Sequence, residues 1–127
     1  MQLFYRHWSD MPGEIWDWPS FRPWEIACNG TGAILVVPPA LFALQRLRAD
    51  LAAPVALNSA YRSPSHNRAV GGATWSKHLM GIAFDVKDST AYSREDLIAA
   101  ARRAGFTGFG NYPTFLHIDL GRPRVFQ

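Results

Sequence analysis

The sequence predicts an α+β fold, a small and mostly antiparallel sheet with flanking helices. Two segments, IAFDV (82–86) and FLHIDL (115–120), alternate apolar and polar residues with period two, as a half-buried strand does. Two others, 38–51 and 93–105, carry apolar residues at helical spacing together with start and stop signals. Between them, clusters of Gly, Pro, Asn and Ser cut the chain into short elements with no repeat. At 127 residues, 48% hydrophobic and 18% charged, the chain is expected to form one folded domain over 1–127.

Residues 1–24 hold four of the five tryptophans (Trp8, Trp16, Trp18, Trp24), interrupted by Pro12, Pro19 and Pro23. They read as an irregular arm packed over the body, although aromatic residues also line grooves for polymers. ACNGTGAILVV places an Asn-Gly turn signal before a β-rich run, which predicts a hairpin over 27–37. In PPALFALQRLRADL, Pro39 suits a helix start, and Leu41, Leu44, Leu47 and Leu51 form one apolar stripe facing the core. PVALNSAY (54–61) reads as a strand, 63–70 as a short helix and VGGAT as a loop. SREDLIAAARRAG then reads as a helix with Ser93 as N-cap, acidic residues in its first turn and Gly105 as terminator. The expected order is helix, strand, short helix, strand, helix, strand, strand.

Composition excludes several classes. Cys28 is the only cysteine, so no disulfide forms within the chain, and a small buried apolar role fits it. The net charge of +3 comes from scattered arginines, and no nucleic-acid-reading motif is present. MQLFYRHWSD has neither the charged n-region nor the apolar h-region of a secretory signal, and no apolar run reaches the length of a membrane span. A monomer is expected. For a target outside the cytoplasm, delivery would fall to another component.

The alternation also sorts the polar residues. Ile82, Phe84 and Val86 share one face of the first strand and Leu116, Ile118 and Leu120 one face of the second. The opposite faces carry Ala83 and Asp85, and Phe115, His117 and Asp119. If these polar faces adjoin, His78, Asp85 and His117 converge. Two imidazoles and a carboxylate make a catalytic zinc set with a fourth position open, where a coordinated water's pKa drops to about 7. A pair of hydrogen-bonded His and Asp groups on a polar sheet face accounts for the same residues, and the spacing alone leaves both readings open.

NSAYRSPSHNRAVGGATWSKHLMGIAFDV followed by FLHIDLGRPR resembles the M15-type zinc peptidases, the D-alanyl-D-alanine carboxypeptidase and peptidoglycan endopeptidase group. The group's serine-X-histidine, glycine-X-alanine-X-aspartate run is met by Ser76, His78, Gly81, Ala83 and Asp85. Its histidine-X-aspartate is met by His117 and Asp119, and its serine-X-tyrosine-arginine-serine by Ser59, Tyr61, Arg62 and Ser63. Phe21 and Glu25 correspond more loosely to an N-terminal element of the group, and the likeness spans roughly 21–124. The resemblance implies the Hedgehog/DD-peptidase fold, Zn2+ held by His78, Asp85 and His117, and hydrolysis of a peptide bond in peptidoglycan. It also implies that Arg62 grips a substrate carboxylate or polarises the scissile carbonyl.

Asp119 is the candidate general base, since two residues along one strand face span roughly 6 to 7 Å; holding His117 or an arginine is its other reading. Other branches of the group carry a glutamate three residues before the last histidine and a histidine two before it, where this chain has Thr114 and Phe115. Ser76 is expected to hydrogen-bond the substrate or to cap its own turn. His66 reads as an exposed turn residue. The alternatives to a peptidase are a non-catalytic zinc-containing wall-binding module and an N-acetylmuramoyl-L-alanine amidase. A compact domain of this kind suits an endolysin from a phage or prophage, acting at the periplasm or cell wall after release, as well as a bacterial remodelling enzyme.

Overall fold

The computed structural model describes residues 1–126. A five-stranded sheet runs in the order β3-β4-β6-β5-β7, and a separate two-stranded sheet joins β1 to β2. The strands are β1 (Leu3–Tyr5), β2 (Ile34–Val36), β3 (Leu57–Ser59), β4 (Ala83–Lys87), β5 (Gly108–Asn111), β6 (Phe115–Asp119) and β7 (Arg124–Phe126). The helices are α1 (Pro23–Ile26), α2 (Pro38–Leu51), α3 (Pro64–Ala69) and α4 (Arg94–Ala104). Every pairing is antiparallel except β5 with β7, which is parallel, so the large sheet is mixed at one edge.

One face of this sheet forms the core. Phe84 and Val86 from β4 and Leu116 and Ile118 from β6 are fully buried, as their alternation predicts. They join Leu41, Leu44 and Leu47 of α2 and Leu97, Ala100 and Ala101 of α4 in one apolar cluster. Burying a leucine contributes about 1.5–3 kcal/mol, so the α2 stripe anchors the helix in this shared core. Ser93 caps α4 by accepting from the Asp96 N–H at 3.0 Å, and Gly105 ends it in the left-handed region at φ 110°. Among the described residues, no helix is long and apolar enough to cross a membrane.

Three expectations need correction. The 27–37 segment is not a self-contained hairpin. Cys28 to Ala33 closes a tight turn, and β2 pairs instead with β1 from the arm. The arm therefore supplies a strand and a helical turn, with Trp18 and Phe21 buried in the core. The strand expected over 54–61 shortens to β3, whose pairing with β4 slips between Leu57 and Ser59. His66 is half-buried, its ring lying where a side chain on Gly30 would go.

Candidate metal centre

The opposite face of the sheet carries the polar residues. Register places Asp85 of β4 directly across from His117 of β6, and Ala83 across from Asp119. His78 arrives from a short 3-10 turn, Lys77–Met80, just before β4. Ser76 caps that turn, its Oγ accepting from the His78 N–H at 3.2 Å, and Gly81 (φ 71°) reverses the chain into the strand. The turn is locked to β3 and α3 because the Arg62 N–H donates to the His78 carbonyl at 3.2 Å. His78, Asp85 and His117 are all buried, and one ligand-capable atom from each lies within 4.8 Å of the others.

The hydrogen bonds around this trio fix which atoms face inward. His78 Nδ1 lies 2.6 Å from the Ala60 carbonyl, which can only accept, so Nδ1 carries a proton. His117 Nε2 donates to Asp119 Oδ2 at 2.6 Å. The inward atoms are then His78 Nε2 and His117 Nδ1, at 3.1 and 3.0 Å from the same Asp85 oxygen, Oδ1. In neutral imidazoles both present lone pairs to a carboxylate oxygen, three acceptors aimed at one point. A second proton on an imidazole or a cation at the convergence point resolves the conflict. Burial pushes the Asp85 carboxyl up, but the His117 and His78 imidazoles, which can donate to it only when doubly protonated, outweigh it and hold it at about 2. Burial likewise opposes charge on His117, yet Asp119 and Asp85 together raise its pKa. The donor set, its tautomers and its outward hydrogen bonds fit a zinc ion.

Asp119 is fully buried behind His117. Besides accepting from His117, it takes a two-pronged contact from Arg124, Nη1 to Oδ1 at 2.9 Å and Nη2 to Oδ2 at 2.7 Å. The Gly121 N–H completes the set at 2.8 Å. Burial would raise the Asp119 pKa, but His117, Arg124 and Gly121 together hold it well below the usual carboxylate range. Both oxygens are thus engaged, an arrangement that suits holding the His117 ring more than exchanging protons with a substrate.

Arg124 reaches Asp119 across β5, and the sequence of β5 makes this possible. Gly108 and Gly110 stand opposite Asp119 and His117. A Cβ on Gly108 would sit 2.1 Å from Asp119 Oδ1 and 2.2 Å from Arg124 Nη1, and one on Gly110 would sit 2.6 Å from the Phe126 ring. The bare strand lets β7 lay Arg124 and Phe126 over it toward β6.

An open cleft of about 580 Å3 lies over the trio, a volume suited to a short peptide. Arg62 lines it, held by Nε to Ser59 Oγ at 3.3 Å and Nη1 to Asn67 Oδ1 at 3.1 Å, with Nη2 3.6 Å from Asp85 Oδ2. Ser76, Lys77 and the exposed Trp75 line the same cleft. Tyr112 and Phe115 line it too, stacked with ring centroids 4.5 Å apart, and Phe126 packs edge-on to Tyr112. Of the residues expected at the site, the fold gathers His78, Asp85, His117, Arg62 and Ser76 around the cleft and sets Asp119 behind it. Sequence reading passed over Lys77, Asn67, Arg124 and Phe126. The Gly-X-Gly of β5 opposite the histidine-X-aspartate pair was the signal that a side chain from further along the chain crosses there.

The sequence profile of the family described as Peptidase M15 matches residues 20–119. No curated protein matches the chain.

Proposed function

The chain belongs to the peptidase M15 family, and we propose that it is a zinc-dependent peptidase hydrolysing a peptide bond in peptidoglycan stem peptides, as a carboxypeptidase or endopeptidase. The observation that carries this reading is the convergence of His78 Nε2, Asp85 Oδ1 and His117 Nδ1 on one point beneath the cleft. These three residues would hold Zn2+, which when bound supplies a Lewis acid and an acidified water. The chain's own contribution is orientation. Ala60 and Asp119 fix the tautomers of the two histidines. Arg62, beside Asp85, turns a guanidinium toward the place a substrate carbonyl or carboxylate would take.

The charges along the cleft favour an anionic peptide, which a stem peptide is. Arg124 is committed to Asp119, but among the described residues no carboxylate stands within ion-pair distance of Lys77. Lys77→Met is expected to raise KM for a carboxylate-bearing stem peptide about tenfold, the lower end for a charge-assisted hydrogen bond. The same peptide with that carboxylate amidated should show no such change, and steady-state kinetics on the two peptides checks it.

The direct test is digestion of purified peptidoglycan by the zinc-loaded protein, with masses assigned to the fragments. Cuts within the stem peptide, lost on chelation and restored by zinc, are expected. Release of whole stem peptides from the glycan would replace the peptidase reading with an amidase. Bound zinc with intact polymer would replace it with a wall-binding module. Action at the cell wall or periplasm, in a lytic or remodelling role, follows from the same proposal.

A further inference from the structure

We propose that Asn67 is a positioning residue that sets both Arg62 and the cleft-lining loop 71–76, an inference that rests on the role given to Arg62 above. Asn67 is the only buried residue of α3, at 4% exposure. Its Oδ1 accepts from Arg62 Nη1 at 3.1 Å, and its Nδ2 donates to the Ala73 carbonyl at 3.0 Å. Guanidinium can only donate and a carbonyl can only accept, so chemistry fixes which way the amide points. The Asn67 main-chain carbonyl also accepts from the Gly72 N–H at 2.8 Å. Gly72 allows this approach, because a Cβ there would lie 2.0 Å from Asn67 Oδ1 and 2.9 Å from Arg62 Nη1.

The consequence is mechanical. Arginine has many rotamers, and this one is pinned at Nε by Ser59 and at Nη1 by Asn67, which leaves Nη2 aimed at Asp85 and the cleft. The other end of the same amide holds the loop that carries Trp75 and Ser76 to the cleft. Among side chains of this size, only this amide carries a neutral acceptor and a neutral donor on two separate atoms. Aspartate would keep the Arg62 contact and repel the Ala73 carbonyl; alanine would release both. Asn67 does not line the main cleft, so its effect passes through Arg62 and the loop.

The test uses the full-length zinc-loaded protein and a peptidoglycan stem peptide, with wild type, Asn67→Ala, Asn67→Asp, Arg62→Ala and the Arg62→Ala/Asn67→Ala pair. Asn67→Ala should lower kcat/KM by about 100-fold, the scale of a misplacement near 1 Å, with the zinc dissociation constant within about threefold of wild type. In the Arg62→Ala background the same change should cost little more, since the two act as one unit. Asn67→Asp should retain most of the activity but speed amide hydrogen exchange in 71–76. Full additivity with Arg62→Ala, or an unchanged kcat/KM, overturns the proposal. Should Asn67→Ala fold poorly, the Asn67→Asp variant carries the test alone, and slow loop exchange in it overturns the proposal. Should wild type cleave no stem peptide, the functional reading fails by itself; the Arg62 Nε–H resonance and loop exchange in Asn67→Ala still decide the positioning, and wild-type values for both overturn it.

Discussion

His117→Ala is expected to abolish zinc retention and peptidoglycan hydrolysis together. His117 is the donor that β6 contributes, and its Nδ1 stands 3.0 Å from Asp85 Oδ1. Losing an outer partner of a ligand typically costs about 10–100-fold in metal affinity, so loss of the ligand itself should exceed about 100-fold. The side chain also anchors the hydrogen-bonded line from Asp85 through Asp119 to Arg124. Its removal leaves two buried carboxylates each short of a partner, and the variant should melt earlier as well. Competition titration with a chromophoric chelator reads the affinity, and a turbidity assay on purified walls reads the activity. A variant that keeps stoichiometric zinc and full lysis would dismantle the proposed centre.

Asp119 gives the second large effect, and it separates two roles. Acting as a clamp on His117, its replacement by asparagine should weaken zinc binding about 10–100-fold. Saturating zinc should then restore most of the turnover. A general base behaves differently: turnover would stay down by about 10²–10⁴-fold however much zinc is added. The geometry favours the clamp, because His117, Arg124 and Gly121 already occupy both carboxylate oxygens. Asp119→Ala should in addition cost about 3 kcal/mol, near the low end for breaking a buried pair, since Arg124 stays partly open to water. Gly108→Ala should weaken zinc in the same direction by driving Arg124 off Asp119. Denaturant unfolding and zinc titration at saturation check all three variants.

Much of the site was legible because period-two alternation is a physical statement about faces. Phe84, Val86, Leu116 and Ile118 declare the core side, and Asp85, His117 and Asp119 fall on the other by necessity. Helix α4 was legible for a similar reason, since its cap, acidic first turn and terminal glycine are local. What could not be read depends on partners distant in the chain. β2 looked like half of a hairpin, but its mate is β1, and nothing near the Asn-Gly turn encodes that pairing. β7 is too short for any period to appear, and its function arises only because β5 is bare beneath it. Asn67 sits in a segment whose helical character was evident, while the two groups its amide joins lie on either side in sequence.

The adjacency of β4 and β6 also dictates an order of events during synthesis. Helix α4 and strand β5 intervene between them, so His78 and Asp85 are synthesised before His117. Two donors on an unpaired chain would grip a divalent ion more loosely than three on a paired sheet, so under the proposed function capture would be a late step that follows sheet closure. Zinc should therefore lengthen the lifetime of the folded molecule and leave the rate of refolding nearly untouched.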